Sequence, residues 1–373
     1  MIRYTATCLF GLESLLGAEI DALGCRRLST IDGRVTFEGD ESAAARANIF
    51  LRYAERLYLH LGTFPAPTFT ALFDGTAALP WEDWIGRDGA FPVSGHAPKS
   101  ALHSIPDCQK IVKKAIASRL GRIYGLEKLP ESGAVYAVEF FILKDEASLM
   151  IDLSGAPLHK RGYRPETVTA PLRETLAAAL AAFSRPREEV VFVDPFCGSG
   201  TIAVEAAMQM LHVAPGVGRG FAAEAFPQFP KPLWTAAREE ARDGVVRESG
   251  FLAEASDIDP NCVRVARECA ARAGVADHVR TFTANALDLE TGGRRGTVVT
   301  NPPYGERMMT PAEAEALYRR MGQAFSRLGR WQIYVLTPCE TFEQLFGRRA
   351  DKIRKLYNGM IPCRFYQFFK PKG

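Results

Sequence analysis

No apolar run in this 373-residue chain reaches the ~18–20 residues that a membrane span needs. The opening residues, Met1-Ile2-Arg3-Tyr4-Thr5, lack the basic and apolar blocks of a signal peptide. None of the eight cysteines forms a C-x-x-C pair; Cys262 and Cys269 are the closest two. That pattern argues against structural zinc or an iron–sulfur cluster and for reduced thiols, so a metal-free cytoplasmic protein is expected. There is no periodic repeat and no low-complexity tract. Nor is there a Gly-Lys-Ser/Thr phosphate loop or a full Gly-x-Gly-x-x-Gly fingerprint, which disfavours nucleotide triphosphates and nicotinamide dinucleotides.

With 47% hydrophobic and 24% charged residues, the chain reads as globular, and its length implies two or three domains. The net charge of +3 is small, but the basic residues are clustered. Ala97 to Lys128 carries seven Lys/Arg against two Asp/Glu, and Leu345 to Gly373 carries eight against one. Two such segments point to a polyanion, with Lys99, Lys110, Lys113 and Lys114 as candidate phosphate contacts. Residues 1–64 read as a small α+β unit, with strands at Arg3–Cys8 and Arg34–Phe37 and helices at Leu12–Leu23 and Ser42–Leu61. Thr63–Phe69, with Pro65 and Pro67, reads as a linker. A second α+β unit over 65–155 has a helix from Ser104 to Tyr124 and a hairpin over 134–153. A connector over 156–169 holds Arg161, Tyr163 and Arg164, whose charge and aromatic ring suit RNA contact or interdomain packing.

From residue 170 onward, strands and helices alternate as in a mostly parallel, doubly wound sheet, closed by a hairpin around Asn358-Gly359. Residues 212–233 read as an irregular insertion, and 234–249 as a helix. Four strand ends carry the chemistry. Asp194-Pro195-Phe196-Cys197-Gly198-Ser199-Gly200-Thr201 joins an apolar strand to a helix. Its glycines let a ligand approach the backbone, while Asp194 suits a cation rather than a polyphosphate. Asp257-Ile258-Asp259 places a carboxylate where it can accept ribose hydroxyls. Asn285-Ala286-Leu287-Asp288 offers Asn285 or Asp288 to an adenine. A ligand with an amino-acid end and an adenosine end fits all three: S-adenosylmethionine. The fourth, Asn301-Pro302-Pro303-Tyr304, cannot continue its strand. It can grip a planar amine with the Asn301 oxygen and the Pro302 carbonyl while Tyr304 stacks on the ring. These residues accept guanine N2 or adenine N6 alike. Arg307 is placed to meet a phosphate or to form a surface ion pair.

These motifs resemble those of class I S-adenosylmethionine-dependent methyltransferases acting on exocyclic amines, and more narrowly the THUMP-domain RNA guanine-N2 methyltransferases. The likeness runs over nearly the whole chain. It includes the Gly11-Leu12-Glu13 unit, Leu129–Gly133 through Asp152–Gly155, Leu158–Arg164, Ala170-Pro171-Leu172 and the two motifs from Asp194 and Asn301. Within the group the chain is similar to the N-terminal enzyme of the 23S rRNA methyltransferase RlmL, in a single-enzyme form. The resemblance implies a Rossmann-like methyltransferase domain over 170–373, preceded by ferredoxin-like and THUMP domains. It implies guanine N2 as the methyl acceptor in structured RNA, 23S rRNA first and tRNA second.

Overall fold

Strand β1 (Ile2–Cys8) buries Tyr4 and Ala6 on one face of its sheet. The computed structural model describes residues 1–165, 172–304 and 309–369. The chain divides into two units, the first made of residues 1–7, 17–158 and 220–239. After β1 come α1 (Glu13–Ala22), β2 (Arg26–Ile31), β3 (Arg34–Gly39), α2 (Ser42–Phe50) and β4 (Ala54–Pro65). The helix expected to reach Leu61 stops at Phe50. The Glu19 carboxylate accepts the backbone N–H of Arg52 at 3.0 Å and of Tyr53 at 3.2 Å, which turns the chain out of the helix. From Ala54 the chain, through part of the expected linker as far as Pro65, forms β4.

The unit continues with α3 (Phe69–Ala78), β5 (Val93–His96), α4 (Ile105–Tyr124), β6 (Val138–Leu143) and β7 (Glu146–Asp152). α4 follows its sequence signals closely: Ser104 accepts the Asp107 N–H, and Gly125 ends the helix at φ 65°. β4 pairs antiparallel with β7 from Tyr58–Asp152 to Pro65–Glu146. That pairing makes one seven-stranded sheet in the order β2-β3-β1-β4-β7-β6-β5. Residues 220–239 belong to this unit rather than forming an irregular insertion in the other. Phe226 stacks on Tyr136 at 4.2 Å, Phe229 lies 5.9 Å from Trp84, and Gln228 donates to the carbonyls of Asp83 and Trp84.

The second unit comprises residues 8–16, 159–219 and 240–373. Its elements are α5 (Glu174–Ser184), β8 (Val191–Asp194), α6 (Thr201–Met210), the end of α7 (Lys231–Asp243), β9 (Ala253–Asp257) and α8 (Pro260–Arg272). They continue with β10 (Val279–Thr283), β11 (Gly296–Thr300), α9 (Pro311–Ser326), β12 (Gln332–Thr337), α10 (Phe342–Phe346), β13 (Lys352–Asn358) and β14 (Ile361–Phe368). The sheet order is β10-β9-β8-β11-β12-β14-β13, with β14 antiparallel to both neighbours and the other pairings parallel. β8 lies between β9 and β11, so successive crossovers leave it in opposite directions. Such a switch point opens a crevice at the carboxyl ends of the strands. One side of the sheet is sealed by Tyr318, Met321 and Phe325 of α9 with Phe342, Phe346 and Tyr366, all buried.

Candidate active site

The loop after β8 is shaped by two glycines. Gly198 (φ +51°) and Gly200 (φ +73°) adopt the left-handed region, and a Cβ on Gly200 would come within 2.8 Å of Ala266 Cβ. The Gly200 N–H donates to Cys197 at 2.7 Å, closing a tight turn that opens α6. Asp257, at the end of β9, holds the loop from the side. One of its oxygens accepts the Gly198 N–H and the other the Asp259 N–H, each at 3.0 Å. Asp259 caps α8 by accepting the Asn261 N–H. Ile258 between them is 73% exposed, an apolar side chain presented at a strand end.

Asp194 is 1% exposed. Thr300 donates to its Oδ1 at 2.7 Å and the Phe196 N–H approaches at 3.3 Å. Burial nevertheless pushes its carboxyl up to about 7, assisted by the charge of Asp257. A buried carboxyl in that state favours a cationic neighbour, which would return it to the ionised form. Beside it, Pro195, Ser256, Asn285, Ala286 and Asp288 line part of a cleft of about 210 Å³. Asn285 accepts the Leu287 N–H and donates to Asp288, so the two candidate adenine contacts are held as one turn.

Asn301 follows β11 directly, next to the strand that carries Asp194. Its Oδ1 is buried and, among the described residues, has no hydrogen-bond partner. Pro302 beside it is buried. Tyr304 is only partly exposed; its hydroxyl accepts from Asn358 Nδ2 at 2.8 Å and lies 3.8 Å from Cys363 Sγ. Burial pushes the phenol well above its ordinary range, so it stays protonated at neutral pH. Arg307 lies outside the described residues.

Three expected RNA contacts require correction. Arg161 Nε lies 3.6 Å from Glu205, to which the Tyr163 hydroxyl donates at 3.1 Å, and all three side chains are buried. Arg164 bonds the Leu172 carbonyl at 2.8 Å, contacts Thr201 Oγ1 at 3.3 Å and pairs with Glu174 at 3.2 Å. These side chains brace α6 from inside the unit, with Arg161 and Tyr163 buried and Arg164 only partly exposed. Lys113 is also engaged, donating to Phe91 O and Glu131 and lying over the Phe91 ring. Lys110 and Lys114 on α4 and Lys99 before it are exposed, with Lys110 3.6 Å from Asp107. Two contributors had no sequence signal: Thr300, read only as strand, and Asn358, read only as a turn residue. Their partners lie 106 and 54 positions away.

A buried carboxylate, a glycine turn and an acidic strand end around one switch point define a class I methyltransferase fold that uses S-adenosylmethionine. Comparison with known proteins agrees. A model described as RMKL-like, methyltransferase domain, matches residues 161–367; an RlmL ferredoxin-like domain matches 3–58, and a THUMP domain matches 66–152. YpsC of Bacillus subtilis strain 168, which carries a provisional name as an RNA methyltransferase, is 43% identical, with 99% of this chain and 97% of that one covered. Ribosomal RNA large subunit methyltransferase K/L of Syntrophotalea carbinolica is 33% identical; the match covers 98% of this chain and 53% of that longer one. The solved structure of SMU.472 complexed with SAH superposes with a TM-score of 0.93 at 39% identity, covering 100% of this chain and 99% of that one. This chain belongs to the RMKL-like methyltransferase family.

The residues present fit the cofactor. Asp194 suits its ammonium end, the glycine turn leaves room for its chain, and Asp257, Ile258 and the Asn285–Asp288 turn suit ribose and adenine.

Proposed function

We propose that this protein transfers a methyl group to the exocyclic N2 of a guanosine in structured RNA, with 23S rRNA the first candidate and tRNA the second. The observation that carries methyl transfer to an amine is the buried Asn301 Oδ1 at the switch point, which has no hydrogen-bond partner among the described residues. A buried acceptor without a donor costs about 1–3 kcal/mol, a debt that an incoming N–H removes. When bound, S-adenosylmethionine supplies a methyl group on a sulfonium, an electrophile that needs no metal. The chain's own residues position the nucleophile. Asn301 Oδ1 and the Pro302 carbonyl accept the two N–H bonds of the amine and turn its lone pair out of the ring plane. Tyr304, fixed by Asn358, stacks on the base, and Asp194 holds the cationic end of the cofactor. Positioning and electrostatics then carry the rate. Tyr304 stays protonated and takes no proton; the methylated amine releases one to water. A target in a duplex leaves its stack at a cost of a few kcal/mol, and stacking returns about 1–3 kcal/mol.

RNA as the substrate is supported by the THUMP and RlmL-type domains and by the names of the relatives. The two acceptors favour an amine without choosing its ring, so adenine N6 is the second reading. Asn301→Ala tests the site. Methyl transfer should fall by about 100-fold or more, while cofactor Kd stays within about threefold of wild type. Equal loss of both would show that Asn301 serves the cofactor instead.

A further inference from the structure

The seven-stranded sheet of the first unit has a groove of about 540 Å³ on its open face. Its floor is a row of hydrogen-bonded polar side chains crossing four adjacent strands. Thr36 Oγ1 meets Thr5 Oγ1 at 3.1 Å, and Thr5 Oγ1 meets His60 Nδ1 at 3.1 Å. His60 Nε2 reaches Thr63 Oγ1 at 3.0 Å, which reaches Ser148 Oγ at 2.9 Å. His60 is neutral, because burial and the nearby Arg3 and Arg34 lower it to about 4.

Above this floor the Arg34 guanidinium lies over the Phe141 ring, 3.5 Å from its centroid. Among the described residues no carboxylate lies within 4 Å of it, and it donates no side-chain hydrogen bond. Burial lowers its affinity for its proton, while Tyr58 and the charge of Glu139 act the other way. Arg3 and Lys144 line the same groove, with Glu146 the one carboxylate among the lining residues. Arg3 is 3.7 Å from Glu38. Glu139, further along the sheet, is already bonded to Ser94 at 2.6 Å. The groove therefore combines a cationic excess, a flat guanidinium–aromatic stack and a line of hydroxyls.

We propose that this sheet face binds an unpaired stretch of the RNA substrate. A base stacks on the outer face of the Arg34 guanidinium, and the adjoining phosphate is neutralised by Arg34, Arg3 and Lys144. The row from Thr36 to Ser148 supplies hydroxyls to base edges and ribose 2′-hydroxyls. Stacking on a guanidinium or an aromatic ring is how proteins hold splayed single-stranded bases, whereas a duplex hides those faces. The inference rests on the reading that the substrate is RNA, but it is independent of which base is methylated.

The test uses the full-length protein and a fluorescein-labelled twelve-nucleotide single-stranded oligoadenylate RNA, read by anisotropy at several salt concentrations. Arg34→Met and Phe141→Leu should each weaken binding by about tenfold. Arg34→Met should also reduce the salt slope by about one phosphate contact, and Arg34→Lys should retain that slope while losing affinity. Calorimetric binding of S-adenosylhomocysteine should not change in any variant, and a wild-type urea midpoint and far-UV circular dichroism spectrum show that the first unit is still folded. Wild-type affinity in both Arg34→Met and Phe141→Leu would overturn the proposal. So would an equal loss against a twelve-base-pair RNA duplex, which would mean general charge attraction. Neither result depends on methyl transfer, so failure of the proposed activity would appear separately, as an unmethylated product.

Discussion

Thr300→Val removes the hydroxyl that donates 2.7 Å to Asp194 Oδ1, and both groups are buried. A hydrogen bond to a charged group contributes about 1.5–3 kcal/mol. One pKa unit corresponds to about 1.36 kcal/mol, so the loss raises the Asp194 carboxyl by about one to two units. The starting point is about 7, raised by burial. The sign follows from which form the ligand selects. A cationic ammonium binds the ionised carboxylate, and that form grows as pH rises through 7. Wild-type affinity should therefore climb from pH 5.5 to 7, by up to about tenfold per unit, and then level off. In Thr300→Val the bend should move upward by the one to two units. The ratio of variant to wild-type Kd cancels the ligand's own titration. It should be about ten or more at pH 6 and approach one above pH 9. Calorimetric titration with S-adenosylhomocysteine at half-unit steps of pH gives this ratio directly. A ratio independent of pH would refute the reasoning, because the hydroxyl would then act through packing alone. So would a wild-type Kd that is flat between pH 5.5 and 7.

Two further substitutions separate roles that the sequence alone confuses. Arg161→Met removes the buried guanidinium 3.6 Å from Glu205, leaving that carboxylate the Tyr163 hydroxyl, and should cost about 3–5 kcal/mol of stability in urea. Wild-type stability combined with weaker RNA binding would restore Arg161 as a nucleic-acid contact. Asn358→Ala leaves the Tyr304 hydroxyl only the Cys363 thiol 3.8 Å away, and losing about 0.5–1.5 kcal/mol should lower kcat/KM about two- to tenfold. Cofactor Kd should not move; a parallel loss of cofactor binding would place Asn358 elsewhere.

The second unit was readable from the chain because its signals are local. The apolar strand before Asp194, the Gly-x-Gly turn after it and the proline pair after Asn301 each declare their geometry within a few residues. The first unit was harder for a physical reason. The helix beginning at Ser42 has continuous apolar periodicity past Phe50, and what ends it is Glu19, more than thirty positions earlier. β4 reads as the tail of that helix followed by a linker, yet its pairing with β7 joins all seven strands. Arg161, Tyr163 and Arg164 look like a solvent-facing basic connector, because nothing nearby announces Glu174, Thr201 and Glu205 as their partners. The phenylalanines at 221, 226 and 229 were the overlooked clue. So many large apolar side chains in an irregular insertion require a core to enter, and here it is the core of the first unit.

Guanine N2 is the step furthest from the residues, since Asn301, Pro302 and Tyr304 would hold adenine N6 equally well. The most direct test gives the purified protein radiolabelled S-adenosylmethionine and ribosomal RNA, or in a second reaction tRNA, from cells lacking it, then digests the product to nucleosides. The account predicts label in N2-methylguanosine, lost with Asn301→Ala. Label in N6-methyladenosine, or none in RNA from either the ribosome or tRNA, would contradict it.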